Sequence, residues 1–378
     1  MKYDNLPRLF ILGQLSNSRC NLRCPYCYIS ACELWDRTGQ TTFKYSVSHM
    51  LRCLSPKRLG GIALINLTGL GETLLQEGVI ELINGLLDEG HYLEVVTNGI
   101  AKDKIYKLLD MNEENLKRLE FKISYHYSEL KRLNILDSFL DTVEAIKESK
   151  ASFTLELMPY DGLECDIHEV IDLTIKRFGA KPQITVGRDD RFKNRKILTE
   201  HTVAEYKRIW SVFQSPMFDF KMKIMGKKCK GFCYAGKWSF FVDLNSGDTY
   251  PCYGQPSNQN IFENIDQPIK YEPVGYYCTE PYCINGHAHL TMGLNPQVKT
   301  PTFAEIRNRV CADGREWMKE SCKEGFNLKL YQRNKEYGRG KKIVHTFTYP
   351  FKIILWCIKK PKINLEKINR FLNLRDEI

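Results

Sequence analysis

Short apolar runs alternate with helical patterns over the first half of the chain, and this alternation most limits how the chain can fold. Each run has the length of a β-strand, and the segments between them have helical periodicity, as in VIELINGLLDEG and LDTVEAIKESK. The six runs lie at 8–15, 60–67, 91–99, 116–124, 151–159 and 181–187. Strands that alternate with helices form βα units on a parallel sheet. We therefore predict an α/β fold with a partial (βα)6 barrel over residues 1–200.

Chemistry-bearing motifs follow successive strands of this predicted barrel. Three cysteines, Cys20, Cys24 and Cys27, come after the first strand; GLGE, TNG and SYH come after the second, third and fourth. Ligands of such barrels bind at the carboxyl ends of the strands, so we expect one site at this mouth. Three thiolates are one fewer than a structural zinc usually takes, which indicates a metal centre with one open position. A zinc loop or unligated core cysteines are the alternatives.

The loop CNLRCPYCY resembles the signature of radical S-adenosylmethionine enzymes, in which an aromatic residue, here Tyr26, precedes the last cysteine. GLGE resembles the GGE motif of that family, with Leu70 in place of a glycine, and VVTNG resembles its third-strand element. The resemblance covers residues 8–190. It implies that Cys20, Cys24 and Cys27 hold a [4Fe–4S] cluster whose open iron binds S-adenosyl-L-methionine. In the family, one-electron reduction then cleaves the cofactor to a 5′-deoxyadenosyl radical that abstracts hydrogen from a substrate.

The resemblance also implies a set of cofactor-binding residues at the strand ends. Glu72 would accept a hydrogen bond from the methionine ammonium group, and Ser124 would hydrogen-bond the cofactor. The full predicted set is Gly71, Glu72, Thr97, Asn98 and Ser124.

A second group of cysteines follows the barrel. The stretch from Cys233 to Cys252 contains a predicted hairpin and resembles the opening of the SPASM or Twitch auxiliary-cluster extension, and CTEPYC follows it. We predict a small cysteine-rich auxiliary domain over residues 201–330 with one further [4Fe–4S] cluster. Its predicted ligands are Cys233, Cys252, Cys278 and Cys283, with Cys229 as the alternate. The same four thiolates would suit a tetrahedral zinc, and reduced thiols without metal are the third alternative.

His126 and Arg188 are the candidate catalytic residues, because both follow predicted strands at the mouth. His126 would bind substrate or transfer a proton, and Arg188 would pair with a carboxylate or phosphate. The alternatives are that His126 packs in the core and that Arg188 pairs with Asp189 or Asp190. We expect HAHL, which carries His287 and His289, to be a solvated loop, with a metal ligand as its alternative.

Two further patterns predict structure. The segment TPTFAEIRNR is typical of a helix that opens near Pro301. Six cysteines lie outside any ligand pattern and are expected to pack in the core: Cys32, Cys53, Cys165, Cys311, Cys322 and Cys357.

The net charge of +10 is concentrated in a basic C-terminal extension at residues 331–378. From Arg333 onward the chain has 12 Lys/Arg against 4 Asp/Glu. This distribution does not favour a nucleic-acid face. The apolar and basic run YPFKIILWCIKKPK is predicted to be a helix packed on the barrel with its lysines in water; weak contact with an anionic membrane surface is the alternative.

We therefore expect an enzyme of this family that acts on a small molecule, such as a sugar-like alcohol, and receives electrons from a donor such as flavodoxin or ferredoxin. Peptide-modifying members often carry a peptide-binding region before the cysteine loop, and only 19 residues precede Cys20 here. A peptide-modifying enzyme with a separate peptide-presenting partner is the first alternative, and a non-catalytic metal-stapled module is the second. No residues resemble a signal peptide, so we predict a cytoplasmic location.

Overall fold

The computed structural model describes residues 5–34, 42–192 and 194–361. Its described strands form one sheet in the order β6-β5-β4-β3-β2-β1-β7-β8-β9, in which β1 to β7 are parallel and the last two pairings are antiparallel. The strands are β1 Leu9–Leu15, β2 Ala63–Gly69, β3 Tyr92–Thr97, β4 Leu119–Tyr125, β5 Ser152–Leu157, β6 Gln183–Ile184, β7 Ser239–Asp243, β8 Asp248–Tyr250 and β9 Gln259–Asn260. The predicted α/β fold with six parallel strands is confirmed.

The helices between β1 and β6 connect the strands and cover the outer face of the sheet, whereas three later helices contribute to a core on its inner side. In chain order the helices are α1 Tyr28–Ala31, α2 Val47–Leu54, α3 Pro56–Leu59, α4 Val79–Asp88, α5 Lys102–Leu109, α6 Glu113–Leu116, α7 Tyr127–Arg132, α8 Leu136–Glu148, α9 Ile167–Phe178, α10 Val203–Trp210, α11 Pro216–Ile224, α12 Gly286–His289, α13 Glu320–Phe326, α14 Leu330–Arg333 and α15 Arg339–Lys359. The three that contribute to the inner core are α12, α13 and α14. Short 3-10 helices lie at Thr73–Leu75, Asp161–Asp166 and Ser211–Phe213.

Alternation along each strand separates an outer core from an inner face. On β1, Ile11 belongs to the core under the helices, whereas Phe10 and Leu12 belong to a second core on the inner side. The C-terminal part of the chain supplies the other half of that second core, including Phe303 and Phe326. The C-terminal part of the chain therefore packs against the inner side of the sheet, and the motifs that follow the strands lie at the carboxyl ends of those strands.

The predicted hairpin of the cysteine-rich region is present and continues the barrel sheet. Strand β7 pairs in parallel with β1, with Phe10 opposite Ser239, and β8 returns antiparallel to it. Gly247 turns the hairpin with a φ of +82°, which glycine adopts without strain. The limits of the three predicted domains stay a prediction, since one sheet runs through the first two.

Four expectations from the sequence need correction, and the fourth concerns the packing of the C-terminal helix α15. Residues 300–309 form turns rather than a helix: Thr302 and Glu305 cap each other as at a helix start, but the Arg307 guanidinium is drawn into the barrel by Glu94. Cys165 is exposed and Cys32 is only half-buried, so neither packs fully in the core. HAHL is not a solvated loop, because His289 is buried and His287 is half-buried.

Helix α15 packs on the cysteine-rich region rather than on the barrel. His345 hydrogen-bonds Pro273 O at 2.8 Å, Tyr349 donates to Gln255 Oε1 at 3.1 Å, and Tyr277 donates to Thr346 O at 2.6 Å. Among the described residues, no helix is both long enough and apolar enough to cross a membrane.

Candidate metal and cofactor sites

The three-cysteine loop lies at the mouth of the barrel, between the end of β1 and the start of α1. Cys24 is buried and Cys20 and Cys27 are half-buried. Burial raises the pKa of all three thiols, that of Cys24 to about 12. Backbone N–H groups oppose this effect by donating to the sulfur of Cys20 from Leu22 and to that of Cys27 from Ile29 and Ser30. Such donors favour sulfur ligands that carry negative charge, which is what an iron–sulfur cluster needs.

The GLGE segment holds this loop in place through its backbone. Leu70 N donates to Leu15 O at 3.0 Å, Gly71 N to Asn17 O at 2.9 Å, and Glu72 N to Arg19 O at 2.8 Å. A Cβ at position 71 would lie 2.0 Å from Arg19 O, so only glycine fits there. Gly71 therefore sets the position of the loop by close backbone contact.

The Glu72 carboxylate is buried and joins the ends of β2 and β3. It accepts hydrogen bonds from Thr97 Oγ1 at 2.6 Å, Asn98 N at 2.7 Å and Leu74 N at 3.0 Å. Burial raises its pKa, and these three donors oppose the rise. A carboxylate has about four acceptor positions, so roughly one remains for the ligand that the sequence predicts for Glu72.

Asn98 directly follows β3, and Ser124 lies near the end of β4, which pairs with β3. Asn98 Nδ2 donates to Asn21 Oδ1 at 2.6 Å and lies 3.7 Å from Cys20 Sγ, so this side chain contacts the cysteine loop. Ser124 is half-buried near the end of β4, opposite Glu156 in the register of β5. Their roles toward a cofactor stay predictions.

His126 supports the cysteine loop from the end of β4. Its Nδ1 is 2.8 Å from Tyr26 Oη, and the two rings stack with their centroids 5.9 Å apart. Burial lowers the pKa of His126 to about 4, so the imidazole is neutral at pH 7. Glu129, which sequence reasoning missed, also holds the loop by accepting from Arg23 N at 3.2 Å. No sequence signal distinguishes Glu129 from other helical acids.

Arg188 joins the barrel to the cysteine-rich region. Its Nη1 donates to Ile284 O at 3.0 Å and its Nη2 lies 3.7 Å from Asp190 Oδ2. Asp189 pairs instead with Arg191 at 2.7 Å. The alternative interpretation of Arg188 was an ion pair with Asp189 or Asp190. The pair with Asp190 is present, and the pair with Asp189 is replaced by that of Asp189 with Arg191.

Arg188 shares a narrow cleft with Lys221, Cys283 and His287. Lys221 donates to Thr185 Oγ1, and burial lowers its pKa to about 7. The Nδ1 atom of His287 is buried and has no hydrogen-bond partner in the described part of the chain. Sequence reasoning missed this cleft, because α11 carries both Lys221 and the exposed Lys223, and no sequence signal distinguishes the two lysines.

Five cysteines line a single cavity of the cysteine-rich region. They are the four predicted ligands Cys233, Cys252, Cys278 and Cys283, together with the alternate Cys229. Cys252 Sγ lies 3.9 Å from His289 Nδ1, and Cys229 Sγ accepts from Asn295 Nδ2 at 3.3 Å. Burial raises the pKa of these thiols, to about 12 for Cys252, where the charge of Cys278 adds to the effect.

The positions of the cysteine sulfur atoms show whether a site for a single zinc ion is already formed. Four thiolates around a tetrahedral zinc would place their sulfurs about 3.8 Å apart. Over residues 5–34, 42–192 and 194–361, no three cysteine sulfurs all lie within 4.8 Å of one another. Among the residues that the structure describes, no three thiols are thus already arranged around a single zinc ion.

No protein-family model matches the chain. A GTP 3′,8-cyclase of Corynebacterium glutamicum is 31% identical over 137 residues, which are 34% of this chain and 35% of the cyclase. A 7-carboxy-7-deazaguanine synthase of Clostridium acetobutylicum is 30% identical over 161 residues, which are 38% of this chain and 66% of the synthase. The chain thus spans about a third of the length of the cyclase that it matches.

Solved structures with a similar course of the chain include SuiB of Streptococcus suis, with a TM-score of 0.49 at 15% identity over 71% of this chain and 66% of that one. Another is anSMEcpe with bound AdoMet, with a TM-score of 0.48 at 15% identity over 97% of this chain and 98% of that one. Like the two sequence relatives above, the chain belongs to the radical S-adenosylmethionine superfamily of enzymes.

Proposed function

We propose that this chain reductively cleaves S-adenosyl-L-methionine and abstracts a hydrogen atom from a substrate, with one auxiliary cluster that relays an electron. The observation that carries the proposal is the pair of thiol sites: three cysteines at the barrel mouth and five around one cavity of the cysteine-rich region. When bound, the cluster and S-adenosylmethionine supply one-electron cleavage to a 5′-deoxyadenosyl radical. A protein with such a cofactor contributes binding, orientation and exclusion of side reactions.

The residues of the mouth supply the orientation. Cys20, Cys24 and Cys27 would bind three irons, while Gly71 and the Tyr26–His126 contact keep the loop in position. Thr97 and Asn98, which donate to Glu72, and Ser124 on β4 would contact S-adenosylmethionine bound at the open iron.

At the auxiliary site, Cys233, Cys252, Cys278 and Cys283 would close all four iron corners of one [4Fe–4S] cluster. Four thiolates match the ligand number of such a cluster, and no three thiols of the described residues are arranged as they would be around one zinc ion. Cys229 stays the alternate ligand, since it lines the same cavity and already accepts a hydrogen bond from Asn295.

The substrate is proposed to be a polar small molecule. The cleft with Arg188, Lys221 and His287 adjoins Cys283 of the auxiliary site, so a carboxylate or phosphate group of the substrate would meet the Arg188 guanidinium there, with the Lys221 amine and the neutral His287 imidazole beside it. Both sequence relatives are named for reactions on purine-like small molecules, which favours this class over a peptide. A peptide held by a separate partner is the second candidate. Flavodoxin or ferredoxin as the electron donor, and a cytoplasmic location, stay predictions.

Purification without oxygen tests the proposal. We expect a brown protein with about eight irons per chain that forms 5′-deoxyadenosine from S-adenosylmethionine when a reductant is added. Changing Cys233 to alanine should remove about four irons, whereas Cys229→Ala should keep them. Iron lost from the Cys229 variant and kept in the Cys233 variant would reassign the ligand. A colourless protein that contains zinc would contradict the enzyme and support a metal-stapled module.

A further inference from the structure

Helix α15 exposes a continuous stripe of large apolar side chains. Seven of them are 47% to 72% exposed. They are Ile343, Val344, Phe347, Phe351, Ile354, Leu355 and Ile358. At 100° per residue these positions fall within an arc of about 120°, so they form one face that we call the α15 stripe.

The opposite face of α15 is already used. His345, Tyr349, Ile353 and Cys357 are buried against the cysteine-rich region. The stripe therefore points away from the body of the protein. A helix that is apolar on both faces needs a second apolar environment besides its own protein.

The charge around the stripe has a single sign. Between residues 337 and 360 the chain has six Lys/Arg and no Asp/Glu. Three of the lysines pair with acids of the protein body: Lys342 with Glu336, Lys352 with Glu272 and Lys360 with Asp248. The other three, Arg339, Lys341 and Lys359, have no acidic partner within 4 Å among the residues that the structure describes.

We propose that the α15 stripe docks on the surface of an anionic lipid bilayer, with the helix lying in the interface. An apolar face flanked by unpaired cations is the arrangement that binds such surfaces, since acyl chains bury the apolar residues and acidic headgroups neutralise the cations. This docking goes beyond the proposed function and does not depend on it.

Two other occupants would cover the same stripe. A second copy of the chain would bring six more cations of α15 against the first six, which disfavours that pairing by like-charge repulsion. The segment at residues 362–378 of the same chain is the other occupant. The lipid surface is the occupant with the complementary charge.

Binding of the full-length, anaerobically purified protein to lipid vesicles tests the proposal. Vesicles of phosphatidylcholine alone are compared with vesicles that also contain phosphatidylserine, by co-sedimentation at low and high salt. The double variant Phe347→Ser/Phe351→Ser removes two side chains of the stripe. Its matched control is Val203→Ser/Val310→Ser, which removes two apolar side chains that are 60% and 62% exposed elsewhere.

We expect the wild-type protein and the valine control to bind phosphatidylserine vesicles, more weakly at high salt. The phenylalanine variant should bind at least about tenfold more weakly. Lys341→Gln/Lys359→Gln should weaken binding about tenfold on anionic vesicles and leave binding to neutral vesicles unchanged.

Absent binding of the wild-type protein, or equal binding of the phenylalanine variant, would overturn the proposal. So would a dimer in sedimentation velocity that the phenylalanine variant abolishes, because a second copy would then occupy the stripe. Vesicle binding that appears only after residues 362–378 are removed would assign the stripe to that segment instead.

Discussion

Gly71 shows how far residue-level prediction from the sequence extends. The GLGE motif marks the position, and the resemblance assigns it to cofactor binding. The structure adds the physical reason that glycine is needed, a carbonyl 2.0 Å from where a Cβ would lie. Sequence spacing could not reveal this contact, because Arg19 and Gly71 are brought together only by the pairing of the loop with the end of β2. For the same reason, the sequence could not show that Thr97 and Asn98 donate hydrogen bonds to Glu72.

Substitution of Gly71 by alanine should displace the cysteine loop. The Cβ would collide with backbone rather than with a mobile side chain, so the loop itself must move. Displacements of about 1 Å near reacting groups lower rates by about a hundredfold, so we expect cleavage of S-adenosylmethionine to fall at least about tenfold. Gly340→Ala, where nothing lies within 4 Å of the new Cβ, is the matched control. Wild-type cleavage by Gly71→Ala would refute the positioning role.

The buried imidazole of His91 links β2 to α2, and we expect protonation of this ring at low pH to weaken the link. Its Nδ1 accepts from Ala63 N at 3.0 Å and its Nε2 donates to Leu54 O at 3.0 Å, so the neutral ring is the bound form. Burial lowers the pKa of His91 to about 4. Between pH 6.5 and pH 4 the unfolded chain therefore takes up a proton that the folded chain does not, and the free energy of unfolding decreases as the pH falls.

The decrease due to His91 should be at most about 1.4 kcal/mol per pH unit. His91→Gln should be less stable than wild type at pH 7.5 by about 1–3 kcal/mol, because hydrogen bonds of buried groups are weakened. It should also lose less stability on acidification. Urea unfolding at several pH values measures both, with exposed His168→Gln as control. Parallel pH profiles of wild type and His91→Gln would contradict the assignment.

At the scale of elements, the strands were predicted correctly from the sequence, whereas contacts between segments far apart in the chain were not. All six barrel strands and the β7–β8 hairpin were indicated by apolar runs and turn residues. The helix expected at 300–309 was wrong because the position of Arg307 is decided by Glu94, more than 200 residues earlier in the chain. Local periodicity carries no information on such a partner.

The Arg307–Glu94 ion pair connects the cysteine-rich region to β3. The two side chains are 1% and 2% exposed, with Nε and Oε1 2.9 Å apart. Arg307→Met leaves the Glu94 carboxylate buried without its cation, so we expect a loss of about 3–5 kcal/mol in the free energy of unfolding. Adding Glu94→Gln should restore part of that loss. The measurement is urea unfolding.

Arg315→Met supplies the control for this pair, since Arg315 is exposed and pairs with Asp313 at the surface, where an ion pair contributes little. Equal effects of Arg307→Met and Arg315→Met would show that the buried pair does not connect the two regions.

At the scale of the whole molecule, the sequence predicted two cysteine sites but not their relation. The barrel and the cysteine-rich region share one sheet, since β7 pairs with β1, and the cleft with Arg188 and Lys221 lies beside Cys283. Both features depend on where the last 150 or so residues fold back onto the first, which no motif encodes. Two separate thiol sites thus lie within one folded unit, which is the central claim about this molecule.

The variant that changes Cys20, Cys24 and Cys27 to alanine tests this central claim most directly. Iron content and formation of 5′-deoxyadenosine are measured on the same anaerobic preparation. We predict that cleavage is abolished, that about four irons are lost, and that about four remain on the auxiliary cysteines. Cleavage that survives in this variant, or the loss of all iron, would contradict the account.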